Sequence, residues 1–298
     1  MKRGAPLYLC GATAVGKSAV AMELAKRLRG EIISVDSMQV YRGMDIGTAK
    51  PSLDERKEVR HHLIDVADVA ESFDAAKFAQ TAKAAEQQIN FPIFCGGTGL
   101  YFNALLLGLG EAPASDPEVR RELERKSLGE LLQELSDKDP KRFAAIDRSN
   151  SRRVVRALEV IRMTGKPFSE QRAEWKEIPE LIVGLEMERA ALCERIDRRV
   201  DDMFRRGLVE ETQNLLKRGL RENRTALQAL GYKQVVEHLD GVRGLAETVD
   251  LVKMRTRQFA KRQMTWFKRQ LPVQWIKISP DETAKEVAGR LIDIYKLV

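Results

Sequence analysis

The stretch Ala5-Pro-Leu-Tyr-Leu-Cys10-Gly11-Ala12-Thr13-Ala14-Val15-Gly16-Lys17-Ser18 decides how the rest of the chain is read. A short apolar run, the length of one strand, leads directly into Gly11-x-x-x-x-Gly16-Lys17-Ser18, and the Ala19–Leu28 stretch after it is a good helix former that stops at Gly30. Strand, glycine loop and helix in that order are the context a P-loop requires. The glycines let backbone N–H groups turn inward on a diphosphate, and the helix N-terminus adds its positive end. Lys17 then reaches a terminal phosphate, and the Ser18 hydroxyl is a ligand for Mg²⁺. The pattern by itself does not say whether the phosphates belong to ATP, GTP or another diphosphate.

Working outward, Glu31-Ile-Ile-Ser-Val35 reads as a second strand ending at Asp36, and Phe91-Pro-Ile-Phe-Cys95 as another ending at Gly96-Gly97-Thr98-Gly99. The Ala-rich segment 75–89 between them is helical. Strands that end in glycines and alternate with helices predict an α/β fold: a P-loop-type parallel sheet with helices on both faces. The ligand site of such a sheet lies at the carboxyl ends of its strands. Beyond Pro113-Ala-Ser-Asp-Pro117 the chain turns to short charged helical segments, with a further break at Lys166-Pro167. Leu181-Ile-Val-Gly-Leu185 restores a strand, 190–217 and 248–269 read as two long helices, and 273–278 as a last strand. The organisation expected is a catalytic core of 1–114 and 175–298 carrying a helical insertion domain, 115–174.

Composition narrows the class. The 298 residues are 43% hydrophobic and 32% charged, with 51 Lys+Arg against 44 Asp+Glu, a net charge of +7. These values exclude general disorder and fibrous repeats. Cys10, Cys95 and Cys193 form no C-x-x-C pair, so neither zinc nor a disulfide framework is expected. Cys10 and Cys95 end apolar runs and read as buried. No window reaches the roughly 18 apolar residues of a membrane span, and the N-terminus lacks a signal core; a cytoplasmic protein with no membrane partner is expected.

The positive charge is concentrated. Between Lys141 and Lys166 there are eight basic residues and two acidic ones, and between Arg255 and Arg269 six basic residues and no acid. In the second stretch Ala260, Met264, Phe267 and Leu271 form one helical stripe, with Arg255, Arg262 and Arg269 on another face. Two such segments point to a polyanion, RNA above all. Asp36, at the carboxyl edge of the sheet, is placed to act as a general base or to partner Mg²⁺, with a turn-capping Asp as the alternative. A Walker-B strand is matched only in part by Ile-Ile-Ser-Val-Asp36 and less well by Leu-Ile-Asp65, and no N/T-K-x-D motif occurs. Both absences argue against a nucleotide hydrolase, while a small-molecule kinase remains open.

Taken in order, several segments resemble the bacterial tRNA dimethylallyltransferase family. They are Gly11–Ser18, Val35-Asp-Ser-Met-Gln-Val-Tyr-Arg-Gly-Met-Asp-Ile-Gly-Thr-Ala-Lys-Pro51, His61-His-Leu-Ile-Asp65, Gly96-Gly-Thr-Gly-Leu-Tyr101, Gly231-Tyr232 and Arg257-Gln-Phe-Ala-Lys-Arg-Gln-Met-Thr-Trp266. The resemblance runs from residue 7 to about 278. It implies transfer of a dimethylallyl group from dimethylallyl diphosphate to N6 of the adenosine immediately 3′ of the tRNA anticodon. By the same resemblance the loop Gly11, Ala12, Thr13, Ala14, Val15, Gly16, Lys17 and Ser18 holds the donor diphosphate with Mg²⁺ on Ser18. Asp36 is then the base, Thr13 and Lys17 act on the donor side, and an arginine contacts the diphosphate, Arg199 ahead of Arg195 and Arg198.

The tRNA contacts implied are Asp36, Ser37, Met38, Gln39, Thr98, Arg120, the run Arg152, Arg153, Val154, Val155 and Arg156, and Gln228, Ala229, Leu230, Gly231, Tyr232 and Lys233. The chain departs from the family at Ser18, where Thr is frequent, and at Arg152. A monomer is expected, with the extruded base and the prenyl donor entering from opposite mouths. An adenylate-type isopentenyltransferase, a small-molecule P-loop kinase and an RNA-binding module with a purely structural loop are the alternatives. The basic insertion argues against the first, because a free nucleotide needs no such surface.

Overall fold

The computed structural model describes residues 5–108, 113, 115–170 and 181–296. Thirteen α-helices and six strands follow one another among them as β1 (Leu7–Gly11), α1 (Lys17–Leu28), β2 (Glu31–Val35), α2 (Leu53–Glu58), β3 (His61–His62), α3 (Ala75–Glu86), β4 (Pro92–Gly96) and α4 (Gly99–Leu106). Then come α5 (Pro117–Glu124), α6 (Leu128–Lys138), α7 (Pro140–Ala145) and α8 (Ser151–Thr164). The chain finishes with β5 (Ile182–Met187), α9 (Arg189–Arg205), α10 (Leu208–Leu216), α11 (Tyr232–Leu239), α12 (Leu245–Gln270), β6 (Gln274–Ile278) and α13 (Ala284–Tyr295). It divides into two compact units, Met1–Leu105 with Pro179–Val298, and Leu106–Ile178. The boundaries read from sequence, 114 and 174/175, fall outside the described residues.

In the first unit the six strands form one sheet in the order β3-β2-β4-β1-β5-β6, every pairing parallel. The α/β fold read from the chain is therefore the fold observed. Central strands covered on both faces lose any reason to alternate polar and apolar side chains, and β1 and β4 are buried at every position. On one face Leu7, Leu9 and Ile93 pack under Val20, Leu24 and Ala25 of α1 and Val287 and Leu291 of α13. On the other, Tyr8 stacks on Phe94 in the next strand, with ring centroids 4.9 Å apart. Cys10 and Cys95 are buried and free, as expected.

The helix expected over 190–217 is two helices. Gly207 sits between α9 and α10 with φ of 97°, a left-handed conformation that Gly adopts without a Cβ penalty and that turns the chain between them. The turn lets Leu208 and Leu215 of α10 join Val40, Tyr41, Met44 and Tyr232 in a second core beneath the loop after Asp36. Helices α9 and α12 meet over the glycine loop between β1 and α1, where Ile196, Val200, Val252 and Ala260 enclose Ala12. The stripe read along α12 is its packed face, with Ala260, Phe267 and Leu271 buried.

The second unit has its own core, in which Leu123, Leu131 and Leu135 pack on Val154, Val155, Leu158 and Ile161 of α8. Each of its helices is capped by a side chain: Asp116, Ser127, Asp139 and Asn150 accept from first-turn N–H groups.

Candidate active site

Helix α1 begins at Lys17, directly after Gly16 with φ of 106°, and no side chain caps it. Its first-turn N–H groups therefore face the loop, which leaves an anion-ready helix start. The Lys17 ammonium is buried and donates to the Ala12 carbonyl at 2.6 Å. Burial, with the nearby Arg199 cation adding to it, pushes the Lys17 pKa down. This cation lies beside a cavity of about 820 Å³ that Gly16, Ser18, Arg195, Arg198 and Arg199 also line. Ala12 and Val15 turn their side chains into the core, so their part in the loop is played by backbone.

Asp36 follows the last residue of β2. Its Oδ1 accepts from the N–H groups of Met38 at 2.8 Å and Gln39 at 3.3 Å, which caps the turn and fixes the carboxylate. The capping reading of Asp36 and the functional one are thus compatible. The turn is held from β4 as well: the Thr98 N–H donates to the Val35 carbonyl, and the Ser37 N–H donates to the Thr98 hydroxyl at 3.0 Å.

Asp36 lines a second cavity of about 380 Å³. Ser37, Met38, Thr98, Gln228, Ala229, Leu230 and Arg262 form much of its wall. Thr13, Asp36, Thr48, Arg199 and Phe259 belong to both cavities, whereas Lys17, Ser18, Arg195 and Arg198 belong to the first alone. A densely charged chamber, in which Lys17, Lys50 and three arginines face Glu55, Asp202 and Glu282, and a chamber with few charged groups therefore share a carboxylate. Burial lowers the Arg199 pKa, and the Asp36 charge opposes that shift.

Several residues read as RNA contacts have partners within the protein. Val154 and Val155 are fully or almost fully buried in the core of the helical unit, so that run presents Arg152 and Arg153 to solvent. The Arg156 guanidinium donates to Glu159, itself buried, at 2.8 Å and to the Pro113 carbonyl at 2.5 Å. Arg120 is engaged with Glu124 and the Ser115 hydroxyl at 3.3 Å each.

The Tyr232 ring has no solvent exposure and Gly231 is buried. The Tyr232 hydroxyl donates to Glu211 Oε1 at 2.5 Å and accepts from the Gly47 N–H at 3.1 Å, and Glu211 also accepts from the Ile46 N–H. Glu211 therefore clamps the loop that carries Thr48, a role with no local sequence signal because Ile46 of that loop lies 165 positions away. Asp65, the weaker Walker-B candidate, is bonded to Lys50 at 2.5 Å and Arg56 at 2.6 Å and braces the same region. Burial works against its ionisation, but these two cations outweigh it and lower its pKa.

The family model for IPP transferase matches residues 39–270. The chain belongs to the IPP transferase family. A tRNA dimethylallyltransferase from Halalkalibacterium halodurans is 45% identical to it over 293 residues, covering 94% of this chain and 93% of that protein. One from Pelotomaculum thermopropionicum is 43% identical, covering 96% and 94%. Among solved structures, the full-length tRNA isopentenylpyrophosphate transferase of Bacillus halodurans is similar with a TM-score of 0.71 and 41% identity, covering 100% of this chain and 97% of that one. A eukaryotic dimethylallyltransferase acting on tRNA is similar with a TM-score of 0.80 and 27% identity, over 98% and 78%. As a member of the IPP transferase family the chain is an enzyme of the transferase class. Among the described residues no helix is long and apolar enough to cross a membrane, and no three His, Cys, Asp or Glu side chains gather as a metal site.

Proposed function

We propose that the protein transfers the dimethylallyl group of dimethylallyl diphosphate to N6 of the adenosine 3′ of a tRNA anticodon. The observation that carries this reading is the pair of cavities sharing Asp36. A hydrolase needs one chamber and water, whereas two substrates that meet at one carboxylate need two. The chamber that holds Lys17, Ser18 and the three arginines suits a diphosphate. The other, walled by Met38, Ala229 and Leu230 among polar groups, suits a base drawn out of its stack, since an adenine in a stacked loop cannot reach a recessed carboxylate.

In the reaction, N6 attacks C1 of the dimethylallyl group while the C1–O bond breaks and its electron pair leaves on the diphosphate. Lys17, Arg199 and the amides at the start of α1 stabilise the charge that builds on the departing oxygens. Asp36 takes the N6 proton, its other oxygen being held by the Met38 and Gln39 N–H groups. Magnesium fits this donor set. Mg²⁺ keeps several waters and binds mainly through substrate phosphates, so the Ser18 hydroxyl suffices as the protein ligand, and the ion would supply further stabilisation of the leaving group. Exposed cations such as Arg153 and Lys233 would meet RNA phosphates.

The test is incubation with Mg²⁺, labelled dimethylallyl diphosphate and, separately, unmodified tRNA, AMP, or ATP with small alcohols. Label in tRNA alone is the expected result, and label in AMP with none in tRNA would overturn the proposal.

A further inference from the structure

Buried amides that bridge two loops of an active site set the geometry of both, and α12 supplies one. The Gln263 side chain is 8% exposed. Its Oε1 accepts from the Thr13 N–H at 2.8 Å, and its Nε2 donates to the Gly97 carbonyl at 2.8 Å. These partners lie 250 and 166 positions away in sequence. A Cβ at Gly97 would overlap Nε2, so that glycine makes room for the amide.

We propose that Gln263 is a positioning residue that locks the phosphate loop to the turn after β4 and so sets Thr13 against Asp36. The inference rests on the reading above that the cavity beside Lys17 takes a diphosphate. Three features converge on it. Ala14, the residue after Thr13, has φ of 64°, a left-handed conformation that is strained for a non-glycine residue and persists only where its surroundings over-determine it. The bond from Gln263 to the adjacent N–H supplies that constraint.

With the Thr13 N–H occupied by Gln263, the residue offers its hydroxyl to a ligand, and Thr13 lines both cavities. On the other side, Gly97 directly precedes Thr98, whose hydroxyl receives the Ser37 N–H beside Asp36. One amide thus reaches the donor side through Thr13 and the base side through Thr98.

The experiment compares Gln263→Leu and Gln263→Glu with Phe267→Leu. Phe267 is a buried residue of α12 that packs edge-to-face on Phe102 at 5.4 Å and serves as the stability control. Binding of inorganic diphosphate with Mg²⁺, binding of tRNA and turnover are measured, with the thermal midpoint recorded for each variant.

Gln263→Leu is expected to weaken diphosphate binding at least tenfold and to lower kcat, with tRNA affinity, which phosphate contacts dominate, within about threefold of wild type. Gln263→Glu keeps the acceptor for Thr13. As a carboxylic acid it also regains a donor for Gly97, so its diphosphate affinity approaches wild type at pH 5 and falls at least tenfold behind at pH 8. Unchanged diphosphate binding in Gln263→Leu, or an equal loss in Phe267→Leu at a similar fall in thermal midpoint, would overturn the inference. Wild-type protein that binds diphosphate but labels no tRNA removes the reading of the reaction and leaves this inference standing; wild-type protein that binds no diphosphate overturns both.

Discussion

One carboxylate oxygen of Asp36 caps its own turn, and the proposed reaction asks the other to take a proton. Replacing it with Asn keeps the cap acceptor and removes the base. Turnover of Asp36→Asn in the prenyl-transfer assay should fall by roughly 10²–10⁴, with tRNA affinity in filter binding within about threefold. A fall in affinity as large as the fall in turnover would contradict the assignment. Gly99 is a different kind of single-residue requirement, because a Cβ there would enter the Trp266 ring. Gly99→Ala should therefore cost about 1–3 kcal/mol in denaturant unfolding, the usual penalty of overpacking.

Both residues stood out in the sequence, one at a strand end and one in a glycine turn. What the turn is for did not show there. Gly97 and Gly99 are small because Gln263 and Trp266 of a helix more than 160 positions later lie against them.

Among the elements, α6 and α8 show where part of the counted charge is paired. Arg162 of the basic run donates to Glu134 of α6 at 3.1 Å, and Lys126 and Lys138 bond the same carboxylate. Burial opposes ionisation of Glu134, but these three cations prevail and hold its pKa at about 2. A carboxylate with a depressed folded-state pKa contributes stability above the usual glutamate value, and that stability is lost as the pH falls toward about 2. The thermal midpoint of the wild type should accordingly drop between pH 5 and pH 2. Glu134→Gln should start lower at pH 7 and lose less across that interval; parallel curves would refute the assignment.

On α8, removing Arg156 leaves Glu159 buried without its cation. Arg156→Met should destabilise the protein by an amount on the order of 3 kcal/mol, and Arg153→Ala should cost under about 0.5 kcal/mol. Helix periodicity had already marked the packed face of α12. The break at Gly207 was not legible in it, because the apolar pattern continues through a residue whose φ of 97° only a solved backbone reveals.

For the whole molecule, the surplus of seven positive charges is partly spent internally. Arg257 is bonded to Asp197 and Lys268 to Glu186, both at 2.6 Å, so the run on α12 is less basic than its sequence. If exposed cations carry RNA phosphates, Arg153→Ala and Lys233→Ala, one in each compact unit, should each reduce the slope of log affinity against log salt by about one, and the double variant by about two. An unchanged slope would remove them from the interface.

The parallel sheet, the glycine loop between β1 and α1 and the place of Asp36 at the end of β2 were legible in the sequence alone. They depend on local order: a strand, a glycine turn and a helix start are encoded within a dozen neighbouring residues. Only the tertiary structure decided that two cavities share Asp36, that Tyr232, Val154 and Val155 are buried and that Arg156 pairs with Glu159. It alone also showed that Glu211 and Gln263 hold the loops of the site. Those properties depend on side chains that meet across more than 150 positions, or on which face of a helix is packed, and neither burial nor a long-range hydrogen bond leaves a mark on the residues nearby in the chain.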